Sequence, residues 1–251
     1  MNKLFIQNFL CIFFILSSCT ENTNVRKNVA SELDNKIHVP EFNADSCYSY
    51  IQKQVEFGPR YLSSEGAKNC SKWLIKKLSK IADTLIVQEA NVITYDKKRH
   101  KIKNIIASFN PQKNNRILLM AHWDTRHIAD HDSVRKNKPI LGANDGGSGV
   151  GMLIEIARNI KIKKPKVGID IILFDGEDYG QPENSKFPVM QDSWCLGSQY
   201  WSKNKHRKNY FAKYGILLDM VGGPNAKFYE EDFSKFYADN ILQKVWNIGH
   251  D

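Results

Sequence analysis

Cysteine is scarce in this chain and carries no pattern. The 251 residues hold five, at Cys11, Cys19, Cys47, Cys70 and Cys195, with no Cys-x-x-Cys pair. That excludes a disulfide framework, a cysteine zinc finger and a dithiol redox motif. Only Cys47, Cys70 and Cys195 lie beyond the N-terminal segment, so at most one internal disulfide can form, and all three read as packing residues. No Gly-x-Ser-x-Gly elbow is present, which removes serine hydrolysis of that type. The glycine segment Gly142, Gly146-Gly147-Ser148-Gly149 fits neither Gly-x-Gly-x-x-Gly nor the Walker pattern, so it is not a phosphate loop. Helix-turn-helix and RNA-binding signatures are missing, as is any basic run interleaved with aromatics. The formal charge of +9 therefore reads as a lysine-rich solvated surface, and nucleic acid is excluded as a partner.

Long apolar runs are missing too. The longest at the N-terminus, Phe9 to Leu16, is too short to span a bilayer. It follows Lys3 and leads into Leu16-Ser17-Ser18-Cys19. A basic start, a short apolar core and small residues before a cysteine read as a bacterial lipoprotein signal over residues 1–18, with Cys19 as the lipidated new N-terminus. The expectation is a cell-envelope protein held by a lipid anchor on the periplasmic side or outer surface. Residues 19–39 are polar and read as a flexible tether. Residues 40–251 are long enough for one α/β domain with a sizeable core.

Within that domain, periodicity predicts a helix over Ser63–Ile81, capped by Ser64, and others over Gly147–Lys161, Gly197–Lys205 and Ala238–His250. Strands are expected over Asn104–Phe109, Arg116–Asp124, Gly168–Phe174 and Tyr214–Met220, with a proline-containing loop over Gln181–Asp192. Gly168–Phe174 and Tyr214–Met220 read as buried strands. Strands alternating with helices argue for a three-layer α/β/α sandwich around a mostly parallel sheet.

Acids and one histidine stand where these strands run out. Ile117–Ala121 leads into His122-Trp123-Asp124. Leu141–Asn144 leads into Asp145. Ile169–Phe174 leads into Asp175-Gly176-Glu177-Asp178, and Ile216–Leu218 leads into Asp219. Carboxyl ends of strands are where open α/β sheets bind ligands. Histidine and carboxylates gathered there suit a zinc site with an adjacent general base. The glycines after Asp145 permit a tight turn that presents it. Asp124, two residues past His122, falls on the same side of an extended segment and is placed to orient it. Trp123, Tyr179, Trp194 and Trp201 are candidates for pocket walls, although aromatics near a site are more often core.

This set of strand-end residues resembles the zinc aminopeptidase (M28-type) clan, which also contains the glutaminyl cyclases. The resemblance runs from about Phe57 to Asp251. Phe57-Gly58-Pro59-Arg60, Gln191-Asp192-Ser193, Gly197-Ser198 and Leu217-Leu218-Asp219-Met220-Val221-Gly222-Gly223-Pro224-Asn225 are similar to the cyclase branch. The resemblance implies the α/β/α fold, with Asp145 and Asp178 as zinc ligands and Glu177 as the general acid/base. It implies Asp219 as a substrate-orienting residue and His122 as the ligand of a second metal position. Asp178 replaces the glutamate common there in animal cyclases. The third family ligand is a histidine from a later strand, with no match here. His250 lies on a helix matching a different part of the family. The expectation is therefore a C-terminally truncated version of a longer protein, with little or no activity in residues 20–251 alone.

The function so implied is zinc-dependent cyclisation of N-terminal glutamine in peptides and proteins to pyroglutamate, releasing ammonia. Zinc is the only cofactor implied. Two alternatives stand beside it. One is a dinuclear zinc aminopeptidase using water as nucleophile. The other is an inactive peptide-binding relic.

Overall fold

A computed structural model describes residues 39–250. The signal segment, Cys19 and the tether expected over residues 19–39 lie outside the described residues, apart from Val39. Five helices and five strands follow in order: α1 (Ala44–Glu56), α2 (Glu65–Ser79), β1 (Thr84–Ile93), β2 (Arg99–Phe109), β3 (Arg116–His122), α3 (Gly147–Ile162), β4 (Gly168–Phe174), α4 (Leu196–Lys203), β5 (Gly215–Leu217) and α5 (Asp232–His250). No helix among the described residues is long and apolar enough to cross a membrane.

The strands form one sheet in the order β1-β2-β4-β3-β5. β1 and β2 pair antiparallel over ten residues, from Thr84 opposite Ser108 to Ile93 opposite Arg99. β2 also runs antiparallel to β4, whereas β3 lies parallel to β4 and to β5. Four strands thus share one direction, and β2 alone opposes them. This is the mostly parallel sheet expected, with one reversed strand inserted by the β1–β2 hairpin.

Side-chain alternation explains the layers. Ile169, Ile171 and Leu173 of β4 pack with Leu74 and Leu78 of α2 and with Val150, Leu153 and Ile154 of α3. Ile172 and Phe174 point the other way, with Ile106, Leu118 and Trp201 of α4. Both faces of β4 are therefore covered, which is why its seven residues are buried throughout. α2 starts as expected, with the Ser64 side chain accepting a bond from the Ala67 amide. Cys47, Cys70 and Cys195 are free thiols, the first two buried.

The final strand and helix differ from expectation. β5 spans three residues, with Leu217 52% exposed, and is not a buried strand. It sits at the sheet edge and pairs only with β3. α5 begins six residues earlier than the periodicity suggests, and Ala238, where the expected helix starts, is the kink inside it (φ −148°).

The buried polar residues of the sheet are neutralised locally. Asp170 of β4 forms a bidentate pair with Arg116, at 2.6 and 2.7 Å, and accepts bonds from Ser108 (2.5 Å) and Tyr210 (2.8 Å). A fully buried carboxylate is tolerable only when it is so compensated.

Candidate active site

The carboxyl ends of β3 and β4 lie side by side, with His122 registered opposite Phe174. The Trp123 amide bonds the Phe174 carbonyl at 2.9 Å, carrying the pairing one residue further. Beyond this point both chains turn, and the polar residues that follow converge. The His122 imidazole is buried. Its Nε2 lies 3.0 Å from Asp145 Oδ1 and 3.5 Å from Asp219 Oδ1. Its Nδ1 stands 3.5 Å from Asp124 Oδ1, too long for a strong hydrogen bond and so an electrostatic contact.

Asp124 has a second partner set that its position alone does not reveal. Its two carboxylate oxygens each accept a backbone amide, from Glu177 and from Asp178, both at 3.0 Å. Gly176 takes a left-handed turn (φ +67°) immediately before them. Neighbouring residues of an extended strand point to opposite faces. Here the Gly176 turn and the Asp124 clamp bring the carboxylates of Glu177 and Asp178 to one site.

Asp145 is delivered by a second turn. Gly146 follows it with φ +77°, and a β-carbon there would run into the Asp124 carbonyl oxygen. Only glycine satisfies both demands. The α3 helix starts directly afterwards, and Ser148 and Asn144 accept the amides of Val221 and Gly222 at 3.0 and 2.8 Å. The loop after Asp219 is thereby tied to the loop that carries Asp145. Arg60 holds the other side. Its buried guanidinium donates to the carbonyls of Trp123 (3.0 Å), Leu141 (2.8 Å) and Gly142 (2.8 Å). In the sequence Arg60 stands out only as part of Phe57-Gly58-Pro59-Arg60. A buried cation spending its donors on loop carbonyls cannot be recognised without the fold.

Two groups of potential ligands result: His122 with Asp145 and Asp178, and His122 with Glu177 and Asp219. Within each, the donor atoms lie within 4.8 Å of one another. All five predicted site residues are thus brought together, with His122 common to both groups, although Asp145 stands on the loop between β3 and α3 and not at a strand end. Asp178 is buried and its Oδ2 has no hydrogen-bond partner. Asp219 is more open, at 38% side-chain exposure.

The electrostatics reflect crowding. Burial, reinforced by Asp124, Asp145 and Glu177, pushes the Asp178 carboxyl up to about 8. Burial also raises Glu177, with His122 opposing and Asp124, Asp219 and Asp145 adding to the rise. Asp145 moves down, because His122 bonds to it. His122 itself is pulled down by burial, but the three carboxylates beside it outweigh that and hold it well above 6.5. Carboxylates that raise one another around a neutralisable imidazole form a donor set suited to a cation, whose charge reverses this local order. One imidazole nitrogen with carboxylate oxygens is a ligand combination zinc accepts.

Of the aromatics considered as pocket walls, Trp123 is core and Trp201 packs on the far face of the sheet with Phe174 and Tyr210. Tyr179 and Trp194 lie by the acid turn. Tyr179 stacks on His127 with ring centres 4.1 Å apart. Trp194 covers Gly180 and stands 4.4 Å from the Arg126 guanidinium.

Comparison with known proteins follows the same lines. The model of peptidase family M28 matches residues 104–250. A Zn-dependent exopeptidase from Parabacteroides distasonis superposes with a TM-score of 0.81 at 50% identity, covering 84% of this chain and 72% of that one. The Bacteroides thetaiotaomicron glutaminyl cyclase bound to N-acetylhistamine gives 0.81 at 48% identity, covering 84% and 73%. The glutaminyl-peptide cyclotransferase of Drosophila melanogaster is 26% identical over 133 residues, 50% of this chain. The chain spans 34%, 32% and 50% of the length of the first curated relatives it matches.

Proposed function

Because the chain belongs to peptidase family M28, we propose that the protein is a zinc-dependent glutaminyl cyclase acting on the N-terminal glutamine of peptides and proteins. One observation carries this reading. Glu177 and Asp178 emerge from a single clamped turn beside Asp145, Asp219 and His122, which supports one acid as a metal ligand and its neighbour as a proton carrier. The similarity to a bacterial glutaminyl cyclase at 48% identity supports it.

Asp145 and Asp178 are the residues that would hold the catalytic zinc, and His122, 3.0 Å from Asp145, stands at the second metal position. Bound there, zinc supplies Lewis acidity toward an amide oxygen. The chain's own residues account for the rest. Glu177, raised by burial, takes a proton from the α-amine as its nitrogen closes on the γ-carboxamide carbon. A carbon–nitrogen bond forms, the bond to the amide nitrogen breaks, and Glu177 returns the proton to the departing ammonia. Asp219, on the open side of the site, holds the amine in place. Asp124 keeps both acids oriented through their amides.

A second reading has a specific observation in its favour. The two ligand groups share His122, an arrangement in which His122 and Asp219 hold a second ion and water, deprotonated by Glu177, replaces the amine as nucleophile. The test separates the two. Full-length protein is incubated with a glutaminyl peptide, and the products are followed by mass spectrometry alongside elemental analysis. Loss of one ammonia per peptide with one zinc per chain is expected. Release of a free amino acid with two zincs per chain overturns the cyclase in favour of the aminopeptidase.

The reading of Leu16-Ser17-Ser18-Cys19 as a lipid-attachment segment adds a location, the cell envelope. Fatty-acid labelling of wild type and Cys19→Ala decides it, since equal labelling removes the anchor.

A further inference from the structure

Two residues beyond Asp124, on the loop that follows β3, Arg126 reaches the acid turn. Its side chain is nearly buried. One edge of the guanidinium forms a fork with Asp130, Nε to Oδ1 at 2.6 Å and Nη2 to Oδ2 at 2.5 Å. The remaining nitrogen, Nη1, donates to the carbonyls of Asp178 (3.0 Å) and Gly180 (3.2 Å). Trp194 covers the guanidinium face and lies so close over Gly180 that a β-carbon there would collide with the indole.

These contacts complement those of Asp124. Asp124 takes the amide of Asp178, and Arg126 takes its carbonyl. Both peptide groups of one residue are thus held by side chains from a single strand-end segment. A surface ion pair needs only the fork with Asp130. Spending a buried donor on two carbonyls of the acid turn fixes that turn as well.

We propose that Arg126, oriented by Asp130, is a positioning residue that sets the direction of the Glu177 and Asp178 carboxylates and seats Trp194 on the same turn. Its catalytic meaning rests on the cyclase reading, but its structural meaning does not. Neither residue touches the reacting atoms. Their effect passes through the backbone of residues 177–180.

The experiment combines amide hydrogen exchange, zinc affinity and kinetics on the full-length protein. Arg126→Ala is expected to speed exchange of the Glu177 and Asp178 amides at least tenfold while leaving β4 amides unchanged. Zinc affinity falls about tenfold, the size of effect seen when residues supporting a metal ligand are removed. kcat for a glutaminyl peptide falls about 10–100-fold, as small misplacements of catalytic groups produce, with KM nearly constant. Low-millimolar guanidinium restores part of the loss, and Arg126→Lys does not match wild type because it lacks the fork. Should Arg126→Ala fail to fold, Asp130→Asn, which releases the fork without removing volume, is expected to give the same pattern in milder form. Unchanged exchange at Glu177 and Asp178 overturns the proposal, as does faster exchange with unaltered zinc affinity. If wild type itself leaves glutaminyl peptides intact, the cyclase reading falls, and exchange and zinc affinity still decide the role of Arg126.

Discussion

Glu177→Gln isolates proton transfer from everything else the acid turn does. The substitution keeps the side-chain shape and leaves the backbone amide that bonds Asp124 at 3.0 Å. Asp178, whose own amide is held by the other Asp124 oxygen, keeps its place. The change removes one proton-accepting carboxylate from a half-buried position whose pKa is raised toward the working range by burial. Loss of a positioned general acid/base costs about 10²–10⁴-fold in rate, or about 2.7–5.4 kcal/mol at 1.36 kcal/mol per tenfold. Folding stability moves the other way, if at all, because one negative charge leaves a cluster that also contains Asp124, Asp145 and Asp219. The assay is ammonia release from a glutaminyl peptide at saturating zinc, with zinc per chain and the melting temperature measured on the same samples. The expected result is full zinc, an equal or higher melting temperature, and kcat lowered by at least about a hundredfold. Wild-type turnover in the variant would refute the role of Glu177. Loss of zinc would show that Glu177 is a ligand and that the roles of Glu177 and Asp178 are exchanged.

Three further outcomes follow from the same geometry. Asp178→Ala is expected to lose both zinc and activity, because it removes a carboxylate donor from the His122 group; elemental analysis checks it. Arg60→Met should destabilise the fold by about 3 kcal/mol in denaturant melts, since it orphans the buried carbonyls of Trp123 and Gly142 and the part-buried one of Leu141. Asp170→Asn is expected to cost about 3–5 kcal/mol at neutral pH by leaving Arg116 buried and unpaired. The pH dependence has a definite sign: burial opposes the Asp170 charge, but Arg116, Ser108 and Tyr210 outweigh it and lower the folded-state pKa. Its stabilisation is therefore complete above about pH 4, the ordinary carboxylate value, and disappears as pH falls through the lower folded value. The raised acids of the active site contribute with opposite sign, so the difference between wild type and variant is the quantity to follow. A difference that grows on acidification would contradict the assignment.

The layers of the fold were legible because β4 is apolar on both faces and α2 and α3 repeat their apolar residues every three or four positions. Two elements were not. α1 has a buried face of only Cys47 and Gln54, too thin for a periodic signal. β1 has no fully buried position and so lacks the apolar pattern of a core strand, and the hairpin it opens puts β2 antiparallel to its neighbours. β5 read as buried because its apolar letters are, whereas its position at the sheet edge leaves Leu217 in solvent. At the site, the ends of strands marked His122, Glu177, Asp178 and Asp219, since chemistry at a strand end needs only adjacency in sequence; Asp145 was found by the same rule but lies on the loop before α3. Asp124 was marked as an orienting residue but not as the acceptor of two amides, and Arg126 was not marked at all. Both act on backbone groups more than fifty positions away, a relation no local pattern records.

The β1–β2 hairpin has a consequence for how the molecule assembles. Its ten paired residues on each strand are joined by a turn of a few residues, with Thr94 and Lys98 closing it. Contacts so local form early, whereas the parallel pairings of β3 with β4 and β5 must close long loops first. The acids of the site come from those late pairings, and the Asp124 and Arg126 bonds that fix their turn are made only then. Substitutions within the cluster should therefore leave the refolding limb of a chevron plot in place and shift the unfolding limb, whereas substitutions in the hairpin should slow refolding.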